Sequence, residues 1–234
     1  MSIQVKKDEL ICPECGSTIN IQNHYRCSRF PICTYTIPKD MNFNVDKDSY
    51  IIFDFETTGL KKQQDRIIEI GALKIIEGAP IDTFSLLLNP GKTQNGTQIY
   101  ISSEITRLTK ITNQDLEGQP TESEGLLQFL NWASDIDTLV GHNIDKFDIP
   151  FMKAACRRAQ IGFPFSYSID TLKFVKSLEL KRKGFIVDEK QTTLAEYIGL
   201  SYNAHRALDD VEALYKILKE LSKQGDPVVV PIGR

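Results

Sequence analysis

The chain has 234 residues, of which 41% are hydrophobic and 25% charged, an ordinary globular composition with room for one medium domain and a small module. A formal net charge of −3 excludes a globally basic nucleic-acid coat, while leaving open a local basic face or metal ions that neutralise a phosphate. No run approaches the roughly 20 apolar residues of a membrane helix and the first residues lack the apolar core of a signal peptide, so the expectation is a cytoplasmic protein with no membrane partner.

Five cysteines are unevenly placed, with Cys12, Cys15, Cys27 and Cys33 near the N-terminus and Cys156 alone. In a reducing compartment, clustered cysteines read as metal ligands rather than disulfides. Cys12-Pro-Glu-Cys15-Gly is the tight turn in which two thiolates face one metal, and Cys27 and Cys33 complete a tetrahedral set for one structural Zn²⁺. A segment this short builds little apolar core, so the ion would supply much of its folding free energy. His24 could replace one thiolate, although four cysteines already satisfy zinc and an exposed hairpin histidine is the plainer reading. Residues 25–36, with Cys27, Phe30, Cys33 and Tyr35 in the wording Cys-Ser-x-Phe-Pro-x-Cys-x-Tyr, resemble the zinc ribbons repeated at the C-terminus of bacterial type I DNA topoisomerases. That resemblance implies binding of single-stranded DNA. Tyr25, Phe30 and Tyr35 would stack on bases and Arg26 and Arg29 would meet phosphates, or the aromatic rings would simply cover the zinc site.

Residues 41–49 are polar and without periodicity and read as a linker. Tyr50 to Phe55 reads as a buried strand, rich in β-branched and aromatic residues. Alternation along it puts Asp54 and Glu56 on one face at its C-terminal end, aimed into a turn with Thr57, Thr58 and Gly59. By itself the pair reads either as half of a site for a hard divalent ion or as a solvated strand end, and further converging acids decide between them. Strands follow at 67–76 and, after a turn at 78–80, at 82–89, an antiparallel meander. Residues 102–117 read as mostly helical. Thr121 and Glu124 form a capping box for a helix reaching Ala133, whose inward stripe is Leu126, Leu127, Leu130 and Ala133, with Trp132 as packing.

A short strand at 137–141 leads through His142, Asn143 and Phe147 to a helix with Pro150 in its first turn. Asp148 shares a face with Met152, Ala155 and Ala159 and so points inward, a third carboxylate, whereas Asp145 reads as a capping or solvated residue. Cys156 reads as a buried or half-buried thiol. Asp170 reads as the N-cap of the next helix, and Lys173, Lys176, Lys181, Arg182 and Lys183 as a solvated charged face in preference to a phosphate track. After a short helix at 192–198, periodicity separates two adjacent aspartates on the last helix. Asp209 falls on the wet face with Glu212 and Lys216, and Asp210 on the dry face with Ala207, Leu214 and Ile217. Asp210 is the fourth inward acid, and His205, just ahead of the helix, reads as a catalytic base placed to swing over the same site.

Four inward acids are too many to bury without positive charge. Two Mg²⁺ or Mn²⁺ ions about 4 Å apart would neutralise them and clamp the attacking and leaving oxygens of an in-line phosphoryl displacement. His205 would deprotonate the attacking water, and the expected reaction is phosphodiester hydrolysis.

Three segments, Asp54-Phe-Glu56-Thr-Thr-Gly59-Leu60, Gly141-His142-Asn143 with Phe147-Asp148, and His205-x-Ala-x-x-Asp210, resemble in order the three motifs of the DEDDh exonuclease family, which includes the proofreading subunit of bacterial replicative DNA polymerase. The resemblance implies an α/β, ribonuclease H-like mixed sheet flanked by helices, two metal ions, and release of nucleoside monophosphates from a 3′ end. It implies Asp54, Glu56, Asp148 and Asp210 as ligands of the Mg²⁺ or Mn²⁺ ions and His205 as general base. The backbone of Thr57, Thr58, Gly59 and Leu60 would hold the terminal nucleotide, with Leu60 wedged against its base, and His142, Asn143 and Phe147 would line the same pocket. The expected organisation is a zinc ribbon at 1–40, a linker at 41–49, the exonuclease domain at 50–223 and a tail at 224–234. The expected function is 3′-to-5′ hydrolysis of single-stranded DNA, with a polymerase or repair partner left open. An RNA-directed enzyme of the same chemistry and a non-catalytic single-strand-binding adaptor are the alternatives. The presence of all five catalytic residues argues against the adaptor.

Overall fold

A computed structural model describes residues 15–17, 19–20, 26–27, 29, 32–33, 43–93 and 95–232. Near the N-terminus two short strands, β1 (Ile19–Asn20) and β2 (Arg26–Cys27), pair antiparallel with Ile19 opposite Cys27. The main sheet contains β3 (Tyr50–Thr57), β4 (Ile67–Ile76), β5 (Ala79–Leu87), β6 (Thr138–Gly141), β7 (Tyr167–Asp170) and β8 (Val230–Pro231), in the spatial order β5-β4-β3-β6-β7-β8. β3, β4 and β5 form the expected antiparallel meander, β6 pairs parallel with β3 and with β7, and β8 closes antiparallel on β7. The helices are α1 (Ser103–Thr109), α2 (Glu122–Trp132), α3 (Asp148–Ala159), α4 (Thr171–Ser177), α5 (Gln191–Tyr197) and α6 (Ala207–Leu221).

Helices cover both faces of this sheet, which is why β3 is apolar on both sides until the site begins. Tyr50 and Ile52 pack with Val175, Leu194, Val211, Leu214 and Ile217 of α4, α5 and α6. Ile51, Phe53 and Phe55 pack on the other face with Leu126, Phe129, Phe151 and Met152 of α2 and α3. The mixed sheet between helical layers is the expected α/β class.

Several local expectations are corrected. The helix expected over 102–117 ends at Thr109, because Lys110 turns left-handed (φ 64°) and its N–H closes on the Thr106 carbonyl. Beyond it, Thr112 and Asp115 bond to each other in a run of turns. The β4–β5 hairpin turns on Glu77 and Gly78, both at positive φ, so β5 begins at Ala79. Pro80 is tolerated there because β5 is an edge strand and the ladder is irregular opposite it. In α2 the inward stripe is Leu126, Phe129, Leu130 and Ala133, while Leu127 is 48% exposed. Residues 43–49 are not a free linker: Phe43 and Val45 are buried, Phe43 meets the Tyr50 ring edge-on at 5.1 Å, and the Tyr50 hydroxyl donates to the Val45 carbonyl. The stretch expected as a tail contributes buried Val229 and strand β8. Asp145 is neither a cap nor solvated, since its carboxylate accepts from Ser168 Oγ at 2.7 Å and Lys173 Nζ at 2.5 Å. Of the basic residues at 173–183, Lys173, Lys181 and Arg182 face acids, namely Asp145, Glu189 and Glu179. Among the described residues, no helix is long and apolar enough to cross a membrane.

Candidate active site

Asp54 and Glu56 stand half-buried at the carboxyl end of β3, and their cross-strand partners on β4 are Gly71 and Glu69. Position 71 has to be glycine because α6 begins on top of it: a Cβ there would lie 2.2 Å from the Ala207 carbonyl carbon. This close approach sets the first turn of α6, and with it Asp210, above Asp54. Glu69, buried in the sheet, accepts the Ala207 N–H at 3.1 Å and the Arg206 guanidinium at 2.9 Å. Arg206 occupies the N-cap of α6 without capping it, so Glu69 satisfies a helix-end donor that a cap would otherwise take. Ligand oxygens of Asp54, Glu56 and Asp210 lie within 4.8 Å of one another.

Asp148 arrives from the opposite layer. β6 runs parallel to β3, so α3, which follows it, starts at the sheet edge where β3 ends. Buried Asp148 accepts the Phe55 N–H at 3.2 Å, and after burial itself its charge is the strongest influence on Asp54. Desolvation and crowding by like charges raise the set together. Asp54 is held well above the usual carboxylate range, Glu56 is pushed up to about 8 and Asp148 to about 7, each mainly by burial. Asp210 is raised too, mainly by burial, although hydrogen bonds oppose the shift. Four carboxylates held this way form an oxygen-only donor set that suits a hard divalent cation.

Asp210 is braced on three sides. The Tyr202 hydroxyl donates to its Oδ1 at 3.0 Å, the His205 amide to its Oδ2 at 2.8 Å, and Gln191 Nε2 to its backbone carbonyl at 2.8 Å. Neither Tyr202 nor Gln191 stands out in the sequence. Glu69 does: it is an acid inside the apolar run Ile67 to Ile70. His205 itself is exposed and left-handed, with φ 70°.

The turn after Glu56 is closed by its own hydrogen bonds. Thr57 Oγ1 donates to the Gly59 carbonyl at 2.7 Å, and the Asp65 carboxylate accepts the Lys61 N–H at 2.7 Å and the Thr58 hydroxyl at 3.3 Å. A Cβ on Gly59 would meet Asp65 Oδ2 at 2.6 Å. Leu60, 83% exposed, and Phe147 together line a cleft of ≈ 370 Å³. His142 and Asn143 do not share it. Both ring nitrogens of His142 are engaged, by Thr171 Oγ1 at 3.0 Å and the Glu189 carbonyl at 2.9 Å. The Asn143 N–H donates to Asp170, which also caps α4 through the Leu172 N–H. These two residues brace the loop that carries Phe147 and Asp148.

At the N-terminus, the Sγ atoms of Cys15, Cys27 and Cys33 lie within 4.8 Å of one another, Cys15 and Cys27 at 3.3 Å. Hydrogen bonds from Ser17 and Cys27 lower the Cys15 thiol to about 6, and the Arg29 N–H donates to Cys27 Sγ. Cys12, His24, Tyr25, Phe30 and Tyr35, and the side chain of Arg26, fall outside the described residues. Cys156 is buried and pushed up to about 12 by its apolar surroundings, as expected of a packed thiol.

Residues 51–218, which include all five candidate catalytic positions, match the RNase_T family model, described as Exonuclease. The chain belongs to this exonuclease family. Among relatives of this exonuclease, the DNA polymerase III PolC-type protein of Clostridium perfringens is 36% identical over 176 residues, covering 74% of this chain and 11% of that protein. The PolC-type protein of Caldanaerobacter subterraneus subsp. tengcongensis is 37% identical over 177 residues, 74% of this chain and 12% of that protein. The exonuclease chain thus spans only about a tenth of the length of these relatives. Its fold is shared with E. coli Exonuclease I in a complex with single-stranded DNA, at TM-score 0.65 and 17% identity over 76% of this chain and 41% of that one. Exonuclease I from Methylocaldum szegediense superimposes with TM-score 0.63 at 18% identity, covering 75% of this chain and 40% of that one.

Proposed function

We propose that this chain is a metal-dependent 3′-to-5′ exonuclease that shortens single-stranded DNA by a two-ion mechanism. One observation carries the reading: ligand oxygens of Asp54, Glu56 and Asp210 converge within 4.8 Å, with buried Asp148 bonded to the same strand end. Asp54, Glu56, Asp148 and Asp210 would hold two Mg²⁺ or Mn²⁺ ions, which when bound neutralise these acids and polarise the scissile phosphodiester. The remaining work belongs to side chains and backbone. His205, exposed at the start of α6, takes the proton from the attacking water. Leu60 and Phe147 hold the terminal base, and the turn at Thr57, Thr58 and Gly59, stiffened by Asp65, orients its sugar. Hydrolysis releases a nucleoside monophosphate and leaves a strand one nucleotide shorter. DNA as substrate, a replication or repair setting and a cytoplasmic location are supported by the PolC-type relatives, and a single strand by the DNA-bound Exonuclease I of the same fold.

Within the same proposal, Cys12, Cys15, Cys27 and Cys33 bind one structural Zn²⁺, a reading supported by the three converging thiols, and residues 1–40 capture long strands for the catalytic domain. Deleting residues 1–40 should weaken action on long strands more than on short ones, and an equal effect on both would reject the capture role. The central test is a time course on 5′-labelled single-stranded DNA and matched RNA with Mg²⁺, with chelator, and with Asp54→Ala. A single-nucleotide DNA ladder that chelator and Asp54→Ala both abolish is expected. Faster laddering of RNA would move the substrate class, and tight strand binding without nucleotide release would leave only an adaptor.

A further inference from the structure

A set of cations lies outside the proposed chemistry. Two clefts meet at Lys62. The first, beside Leu60 and Phe147, is also lined by Lys61 and Lys146. The second, ≈ 380 Å³, lies between α3 and β8 and is lined by Lys62, Lys153 and Arg157, with Pro231 and Ile232 on the strand side. Lys153 and Arg157, four positions apart, share a face of α3, and Lys146 precedes the helix start. From Phe147 to Arg157 the helix axis covers about 15 Å, so the cations extend away from the acid cluster rather than surrounding it.

Asp145, the acid lining these clefts, pairs with Lys173, and Lys153 Nζ lies over the Phe163 ring at 5.1 Å. Like charges four apart on a helix repel, and burial together with the Arg157 guanidinium lowers the Lys153 ammonium. A chain of net charge −3 therefore concentrates five cations along one lane that begins at the candidate terminal-nucleotide cleft. A polyanion lying in that lane relieves the repulsion and releases its own counterions.

We propose that this lane holds the single strand of DNA on the 5′ side of the scissile end, its phosphates on Lys61, Lys62, Lys146, Lys153 and Arg157 and its bases toward the apolar rim at Pro231 and Ile232. The proposal rests on the exonuclease reading above and adds the path of the strand to it. Substrate length then matters: a strand long enough to reach Arg157 gains contacts that a terminal nucleotide alone does not.

The test removes charge at the far end with the double variant Lys153→Gln/Arg157→Gln. Two substrates are compared, a single strand of about 20 nucleotides and the p-nitrophenyl ester of thymidine 5′-monophosphate, which engages the terminal site alone. On the strand, KM should rise at least about fivefold and the slope of log KM on log salt should fall by about 1.4, the single-strand contribution of two phosphate contacts. Turnover of the ester should stay within about twofold, and Lys153→Arg/Arg157→Lys, which keeps both charges, should behave as wild type. An unchanged KM and salt slope overturns the lane, as does an equal loss on both substrates. Competition by poly-glutamate as strong as by a non-cleavable strand also overturns it, making the lane a protein dock. If the unmodified protein releases neither nitrophenol nor nucleotides, the exonuclease reading itself fails.

Discussion

Glu69 and Arg206 form a charge pair at the junction of β4 and α6, next to the four carboxylates of Asp54, Glu56, Asp148 and Asp210, which form no salt bridge among the described residues. Glu69 touches no reacting atom in the proposed chemistry, but it holds the helix end from which Asp210 projects. Glu69→Ala leaves the Ala207 N–H and the Arg206 guanidinium without this acceptor. The expected cost is about 1–3 kcal/mol of stability, at the lower end because Arg206 is half exposed. Turnover should fall about 10–100-fold, as when the support of a metal ligand is removed. Urea melts and nucleotide release check the two effects separately. His205→Asn makes the opposite case. Asn accepts the left-handed backbone at this position, and the bond to Asp210 comes from the main-chain N–H, so the melting temperature should barely move. Loss of proton transfer should lower kcat by about 10²–10⁴. A variant retaining full kcat would remove His205 from the mechanism.

Two strand–helix connections assemble the site. The parallel β3–β6 pairing delivers α3 and Asp148 to the carboxyl end of β3, and the seating of α6 on Gly71 delivers Asp210. Gly71→Ala drives a methyl group into the backbone at Ala207, so α6 must lift or β4 must bend. Overpacking of this kind costs about 1–3 kcal/mol. Lifting α6 also separates Asp210 from Asp54, so the Mg²⁺ concentration for half-maximal activity should rise as the protein loses stability. Thermal melts with a Mg²⁺ titration of activity check this, and an unaltered Mg²⁺ response would mean that the helix is positioned by something other than this contact.

For the molecule as a whole, the acid cluster ties stability to pH and to metal. Glu56 moves from 4.5 when free to about 8 when folded, so between those values the folded state binds the extra proton. The stability that protonated Glu56 contributes is complete below 4.5 and is lost as pH rises through about 8, with Asp148 adding in the same direction up to about 7. In chelator, the melting temperature should therefore fall as pH rises from about 5 to about 8.5, the reverse of a salt-bridged carboxylate. Mg²⁺ or Mn²⁺ should remove most of that fall, because an ion that binds only the folded state takes the place of the protons. Differential scanning calorimetry across this range decides it, and a flat profile in chelator would show that the four acids are not held as a repelling set.

The sequence by itself determined which acids face inward, because the face a side chain takes along a strand or helix repeats locally. Asp54 and Glu56 sit two apart on one strand, Asp148 opens an amphipathic helix, and periodicity alone separates Asp210 from Asp209. The meander followed from the same local patterns, and the mixed α/β class from the resemblance of the three motifs to the DEDDh family. Only the tertiary structure decided what holds those acids in place. Arg206 meets Glu69 from 137 positions away, Gly71 is needed because another element lands on it, and Tyr202 and Gln191 matter only once Asp210 is beside them. It also drew His142 into the scaffold and folded Phe43, Val45 and Val229 into the core. Each of these depends on individual contacts between separate elements, and an individual contact has no period for a local reading to detect.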